Sequence, residues 1–210
     1  MALTIATTIP IDARRRPGAE RFWPLILGPL GIGWCLLAAE LGWPALHAKS
    51  VQEIVALTVT PLALAAGLVR SARTAQPVAI LLTAVAATTM LREIHWDWTT
   101  KGVYVLLALI ACWGLLWRKR VMPYLDANPR EGAWLICTAA TYVLSQFVAR
   151  RGFQHILPES SPLHALFQAS YDDMEEVVEN IAHLMLLVTI LHGRRGRWLW
   201  PTRNAQATNA

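Results

Sequence analysis

The sequence predicts an all-α fold, a polytopic membrane bundle of six transmembrane helices with both ends in the cytoplasm. Three observations predict it. Of 210 residues, 55% are hydrophobic and only 16% are charged, against about 25% charged in an ordinary soluble domain. Long apolar runs occupy 23–41, 51–69, 77–94, 102–117, 133–149 and 176–191. Lysine and arginine collect on alternate sides of those runs, as the positive-inside rule requires.

Lipid offers no partner to a backbone N–H or C=O, so each run is expected to be a helix. Asn128-Pro129 and Ser161-Pro162 read as cap and first-turn proline pairs. The second pair is expected to start the last helix several turns above the membrane. With the N-terminus inside, inner segments hold the Arg14–Arg16 run, Arg21, Arg70, Arg73, Arg118–Arg120, Arg130, Arg194, Arg195, Arg197 and Arg203. Outer segments hold only Lys49, Arg92, Lys101, Arg150 and Arg151. Adding or removing one span destroys this pattern. Trp23, Trp117, Trp134, Trp198 and Trp200 mark the inner boundary and Trp43, Trp96 and Trp98 the outer one, the depths at which aromatic belts sit.

The expected organisation is a cytoplasmic segment over 1–22, one membrane domain over 23–193 and a basic cytoplasmic tail over 194–210. The arginines before the first run resemble the flank of a signal peptide. That run is longer than the usual core of about 7–15 residues, so an uncleaved span is expected. The net charge of +5 is accounted for by topology, and no nucleic-acid partner is expected. Cys35, Cys112 and Cys137 all fall within apolar runs, which predicts packing residues in place of a disulfide framework.

Acidic residues follow the opposite distribution, and topology does not force it. Helical rise is about 1.5 Å per residue. On that scale Glu40, Glu53, Glu93 and Glu176 each lie about 24–25 Å above the inner boundary of their spans. Four helices thus place a carboxylate just inside the outer surface. The last helix is the most constrained. Its uncharged run, broken only by His183, is too short for the roughly 20 residues a span needs. It crosses only by taking Glu176, Glu179 and His183 into the membrane. Asp172, Glu176, Glu179 and His183 are spaced i, i+4, i+7 and i+11, an arc of about 60° on one face. Ionisable groups at that depth face the bundle interior and are functional candidates.

Glu93, Glu176, Glu179 and His183 are therefore the candidate catalytic residues, and the same four with Glu40 and Glu53 are the candidate metal ligands. Carboxylate with imidazole suits zinc, iron or manganese; mostly oxygen ligands suit calcium or magnesium. A divalent metal is expected without its identity being specified. In Leu91-Arg92-Glu93-Ile94-His95-Trp96-Asp97-Trp98, a continuing helix puts Glu93 and Asp97 on one face, whereas a helix ending near Glu93 lets His95 join them. Tyr104, Tyr142, Ser145 and Gln146 either line the same cavity or make packing hydrogen bonds. The inner halves of the spans show no ionisable relay.

The Leu-Arg-Glu motif closing a span, followed by Glu-Glu-x-x-Glu at Glu175, Glu176 and Glu179, resembles an uncharacterised group of small bacterial multi-pass inner-membrane proteins. Here Ile94, His95, Trp96 and Asp97 exchange the His and Asp of that pattern. The resemblance covers about 91–193 and implies an acidic intramembrane site in a bacterial inner membrane. A looser similarity is to the alkaline ceramidase type of zinc membrane hydrolase, whose His-x-x-x-His this chain lacks. Three functions remain open. The first is a metal-dependent hydrolase of a lipid or lipid-linked substrate. The second is a proton or cation transporter. The third is a non-catalytic protein in which Arg92, Arg150 or Arg151 pairs with the acids.

Overall fold

The computed structural model describes residues 18–43, 49–94 and 99–193, and these are all-helical. A 3₁₀ segment, Ala19–Ile26, leads into α1 (Leu27–Glu40). There follow α2 (Lys49–Thr74), α3 (Pro77–Glu93), α4 (Thr99–Leu116), α5 (Arg118–Ala127), α6 (Pro129–Ala149), α7 (Gly152–Ile156) and α8 (Pro162–His192). Outside the described residues lie most of the expected N-terminal segment and the whole of the basic tail. His47, His95, Trp96, Asp97 and Trp98 also lie outside them.

Two of the expected helix starts hold. Pro162 opens α8, and the Ser161 Oγ accepts from the Leu163 N–H at 3.3 Å. Pro129 opens α6, but the Asn128 side chain turns back and donates to the Tyr124 carbonyl at 2.8 Å. Two short helices, α5 and α7, were not foreseen. The basic Arg118–Arg120 stretch begins α5, which turns away from α4 by 80°.

Three described helical stretches are long and apolar enough to cross a membrane: Glu20–Glu40, Lys49–Thr74 and Pro129–Ala149. The bent α4–α5 pair makes a fourth if it is one span. Two others fall short for identifiable reasons. α3 has 17 residues, and the apolar run of α8 is interrupted by Glu175, Glu176 and Glu179. The fold is that of a helical membrane protein. All three cysteines are free, with Cys35 and Cys137 buried and Cys112 exposed.

The last helix forms the centre, with α1, α2, α3 and α6 packed around it. Chain direction follows from the contacts. Gln52 meets Asn180 and Arg70 meets Ile190, so α2 and α8 run the same way. Tyr142 meets His183 and Thr138 meets Thr189, so α6 runs against them. The core is built of small and branched side chains, including Ala63, Val78, Leu82, Ala86, Leu186 and Ile190. Leu30, Leu37, Leu57, Leu62, Leu109 and Val143 point outward, as residues facing lipid do.

Small residues set the closest approaches. A Cβ at Gly67 would lie 3.2 Å from the Thr83 Cα, so α2 and α3 meet almost backbone to backbone. The Ser71 and Thr83 hydroxyls, 2.8 Å apart, bond across the same seam. Membrane helices associate through such packing because lipid is as apolar as leucine. Gly67→Leu is expected to wedge α2 from α3 and destabilise the bundle by about 1–3 kcal/mol. Thermal unfolding in detergent checks it, with the exposed Leu62→Ala as the near-neutral comparison.

Candidate functional site

Glu93 closes α3, and Glu179 and His183 stand one turn apart on α8. One ligand atom from each of the three lies within 4.8 Å of the others. His183 is 1% exposed and Glu179 4%. The His183 Nε2 is 3.5 Å from the Glu93 Oε1 and 3.9 Å from the Glu179 Oε1. It is buried and makes no hydrogen bond.

The other face of the imidazole is held. Its Nδ1 is 2.7 Å from the Tyr142 Oη on α6. Tyr142 in turn hydrogen-bonds Thr89 on α3, whose hydroxyl donates to the Ala86 carbonyl at 3.0 Å. Donor and acceptor in the Tyr142–His183 bond follow the imidazole tautomer. Nε2 is left facing two carboxylates. Second-shell groups fix a ligating histidine in this way.

Arg92 approaches from the α3 side and donates an ion-paired hydrogen bond to Glu179. Its other Nη lies 3.7 Å from the Glu175 Oε1. Lys49 is within electrostatic reach of Glu175 and Glu176, and Glu53 of Glu176. Among these described residues, Arg92 and Lys49 face Glu53, Glu93, Glu175, Glu176 and Glu179. Negative charge is in excess, and low dielectric makes that excess costly.

Of the sequence-predicted residues, the close group contains Glu93, Glu179 and His183. Glu176 and Glu53 are half-buried beside it, and Glu40 is exposed at the end of α1. Tyr104 donates to the Gln146 Oε1 at 2.8 Å. Ser145 is fully buried with an unpartnered Oγ. Arg151 pairs with no acid in this cluster; it donates to the Tyr171 hydroxyl at 3.0 Å and lies over that ring. Sequence reasoning missed Asn180, whose side chain donates to the Gln52 Oε1 at 3.0 Å. A lone amide within an apolar run was the available signal.

A second polar site lies at the opposite end of the bundle. Arg70 and Glu131 are both buried, and Arg70 Nη2 lies 2.6 Å from the Glu131 Oε1. The same Nη2 reaches the Tyr124 hydroxyl at 2.9 Å, and Tyr124 donates to the Glu131 Oε2 at 2.7 Å. Arg70 Nη1 donates to the Ile190 carbonyl at 3.0 Å. Between the two sites the Thr138 and Thr189 hydroxyls lie 3.2 Å apart, and each is also within hydrogen-bond distance of a carbonyl of its own helix, at 2.8 and 2.7 Å.

The fold and these sites define a helical membrane protein with a buried carboxylate–imidazole cluster at one end and a buried ion pair at the other. No family model, curated protein or solved structure matches the chain.

Removing one member of a buried pair leaves the other charge uncompensated. Glu131→Ala is expected to destabilise the protein by about 3–5 kcal/mol. The double variant Arg70→Met/Glu131→Leu should lose far less than the two single losses combined. Unfolding measured across this double-mutant cycle checks the coupling.

Proposed function

We propose that the chain is a six-span, N-in/C-in protein of a bacterial inner membrane whose outward-facing Glu93–Glu179–His183 site binds a divalent metal ion and hydrolyses a lipid or lipid-linked substrate. The observation that carries this reading is the His183 Nε2. It is buried, makes no hydrogen bond and faces two carboxylates, while Nδ1 is bonded to Tyr142. A cation between the three groups satisfies all of them. Mixed nitrogen and oxygen donors favour zinc, manganese or iron over calcium. Three protein ligands with a position left for water is the pattern of catalytic sites, and such an ion supplies a hydroxide nucleophile near neutral pH.

The chain's own residues divide the remaining tasks. Tyr142 and Thr89 fix the imidazole. Arg92, paired with Glu179, provides a positive group beside any oxyanion formed at the site. The i, i+4, i+7, i+11 acidic stripe of α8 supports the six-span reading, because α3 and α8 then place their ionisable groups at headgroup depth, where a lipid ester or phosphoester bond lies. Membrane lipids are the expected partners.

The Arg92–Glu179 ion pair favours a second reading, a non-catalytic ion-pair network in which the arginine already serves as counter-ion. Metal content separates the two. Purified wild type, washed with a weak chelator, is expected to carry about one transition-metal ion per chain by elemental analysis. Glu179→Ala and His183→Ala should reduce that to background, and Tyr142→Phe should weaken binding by about 10–100-fold, the usual cost of losing a second-shell partner. Metal-free wild type, with Arg92→Gln unfolding the protein, selects the ion-pair network instead.

A further inference from the structure

A cavity of about 760 Å³ opens at the Arg70–Glu131 end of the bundle, remote from the Glu93 site. Three separate parts of the chain build it: the 3₁₀ segment, the α5–α6 junction and the end of α8. Its walls include Arg21, Asn128, Arg130 and His192, with Trp23 and Trp134. Ligand cavities run about 300–1,000 Å³, so the volume suits a small polar headgroup.

We infer that this cavity is a binding site for the phosphate headgroup of an anionic membrane lipid. Arg21, half-buried, lines the cavity, and its Nη1 makes no hydrogen bond, a donor without an acceptor. Arg130, also on the cavity wall, is exposed. The first turn of α6 borders the cavity without a side-chain cap, because Asn128 is turned toward Tyr124. Uncapped N–H groups at a helix N-terminus favour an anion. Glu131 does not oppose the site, since Arg70 and Tyr124 hold both of its oxygens. Glu20 is the unfavourable group at the rim.

The aromatic rings choose a lipid over a dissolved anion. Trp134 stacks on His192 at 5.5 Å and meets Trp23 edge-on at 5.7 Å. Trp23 is 56% exposed. A tryptophan wall beside arginines is the arrangement found at a membrane–water boundary, where rings take the acyl–glycerol region and basic groups take the headgroup.

The test uses the full chain in lipid nanodiscs, released for native mass spectrometry. Wild type is expected to retain phosphatidylglycerol or phosphatidic acid at least about tenfold better than phosphatidylcholine, as charge-assisted contacts of this kind imply. Arg130→Gln, at an exposed position, should cut that retention several-fold, and Arg21→Gln/Arg130→Gln should remove it. Lys119→Gln, exposed on α5 and outside the cavity, should change nothing. Equal retention of phosphatidylcholine overturns the inference. So does undiminished retention in Arg130→Gln, which decides the matter even if the double variant fails to fold. Displacement of the lipid by inorganic phosphate alone, with the same arginine dependence, overturns the lipid reading in favour of a soluble anion.

Discussion

A carboxylate or an imidazole carried into a dry bundle must find partners there, since ionised groups lose several kcal/mol on leaving water. The last helix carries both, and its neighbours are arranged to meet that demand. α3 brings Arg92 and Glu93 to Glu179 and His183. α6 brings Tyr142 to the imidazole, and α2 brings Gln52 to Asn180. The packing of α2, α3 and α6 around α8 is thus specified by polar contacts at fixed heights as well as by apolar fit. In a solvent that contributes little hydrophobic drive between helices, these contacts set the register.

The polar groups are divided between two ends, and the middle is filled by hydroxyls that answer to their own helices. Thr138, Thr141 and Thr189 each donate to a carbonyl four residues back. They add little polarity to the interhelical space and let the helices approach closely. Buried side chains such as Met185 and Leu186 pack between the Glu93–His183 site and the Arg70–Glu131 end.

The helical class and most helix positions were legible from hydropathy, because apolar runs in lipid admit few alternatives. The facing of α8 was legible too. Its uncharged stretch was too short, and helical spacing put Glu179 and His183 on one side. Depth alone was a weaker guide. Glu40 shares the computed height of the site, yet it is exposed at the end of α1, because height along a helix says nothing of rotation about it. Arg70 was read as a topology signal because a basic residue ending an apolar run either reaches for water or pairs inward. Only the arrival of Glu131 and Tyr124 from distant sequence decides which. The Tyr142–His183 bond was equally hidden, since a tyrosine in an apolar helix can also turn its hydroxyl to the interface.

The Arg70–Glu131 pair joins residues separated by 61 positions. During synthesis α2 is complete long before α6 emerges, so for that interval the arginine has no acid to meet. Its place near the end of α2 lets the guanidinium stay among headgroups meanwhile. The Arg70–Glu131 contact between α2 and α6 can therefore form only after α6 has been made.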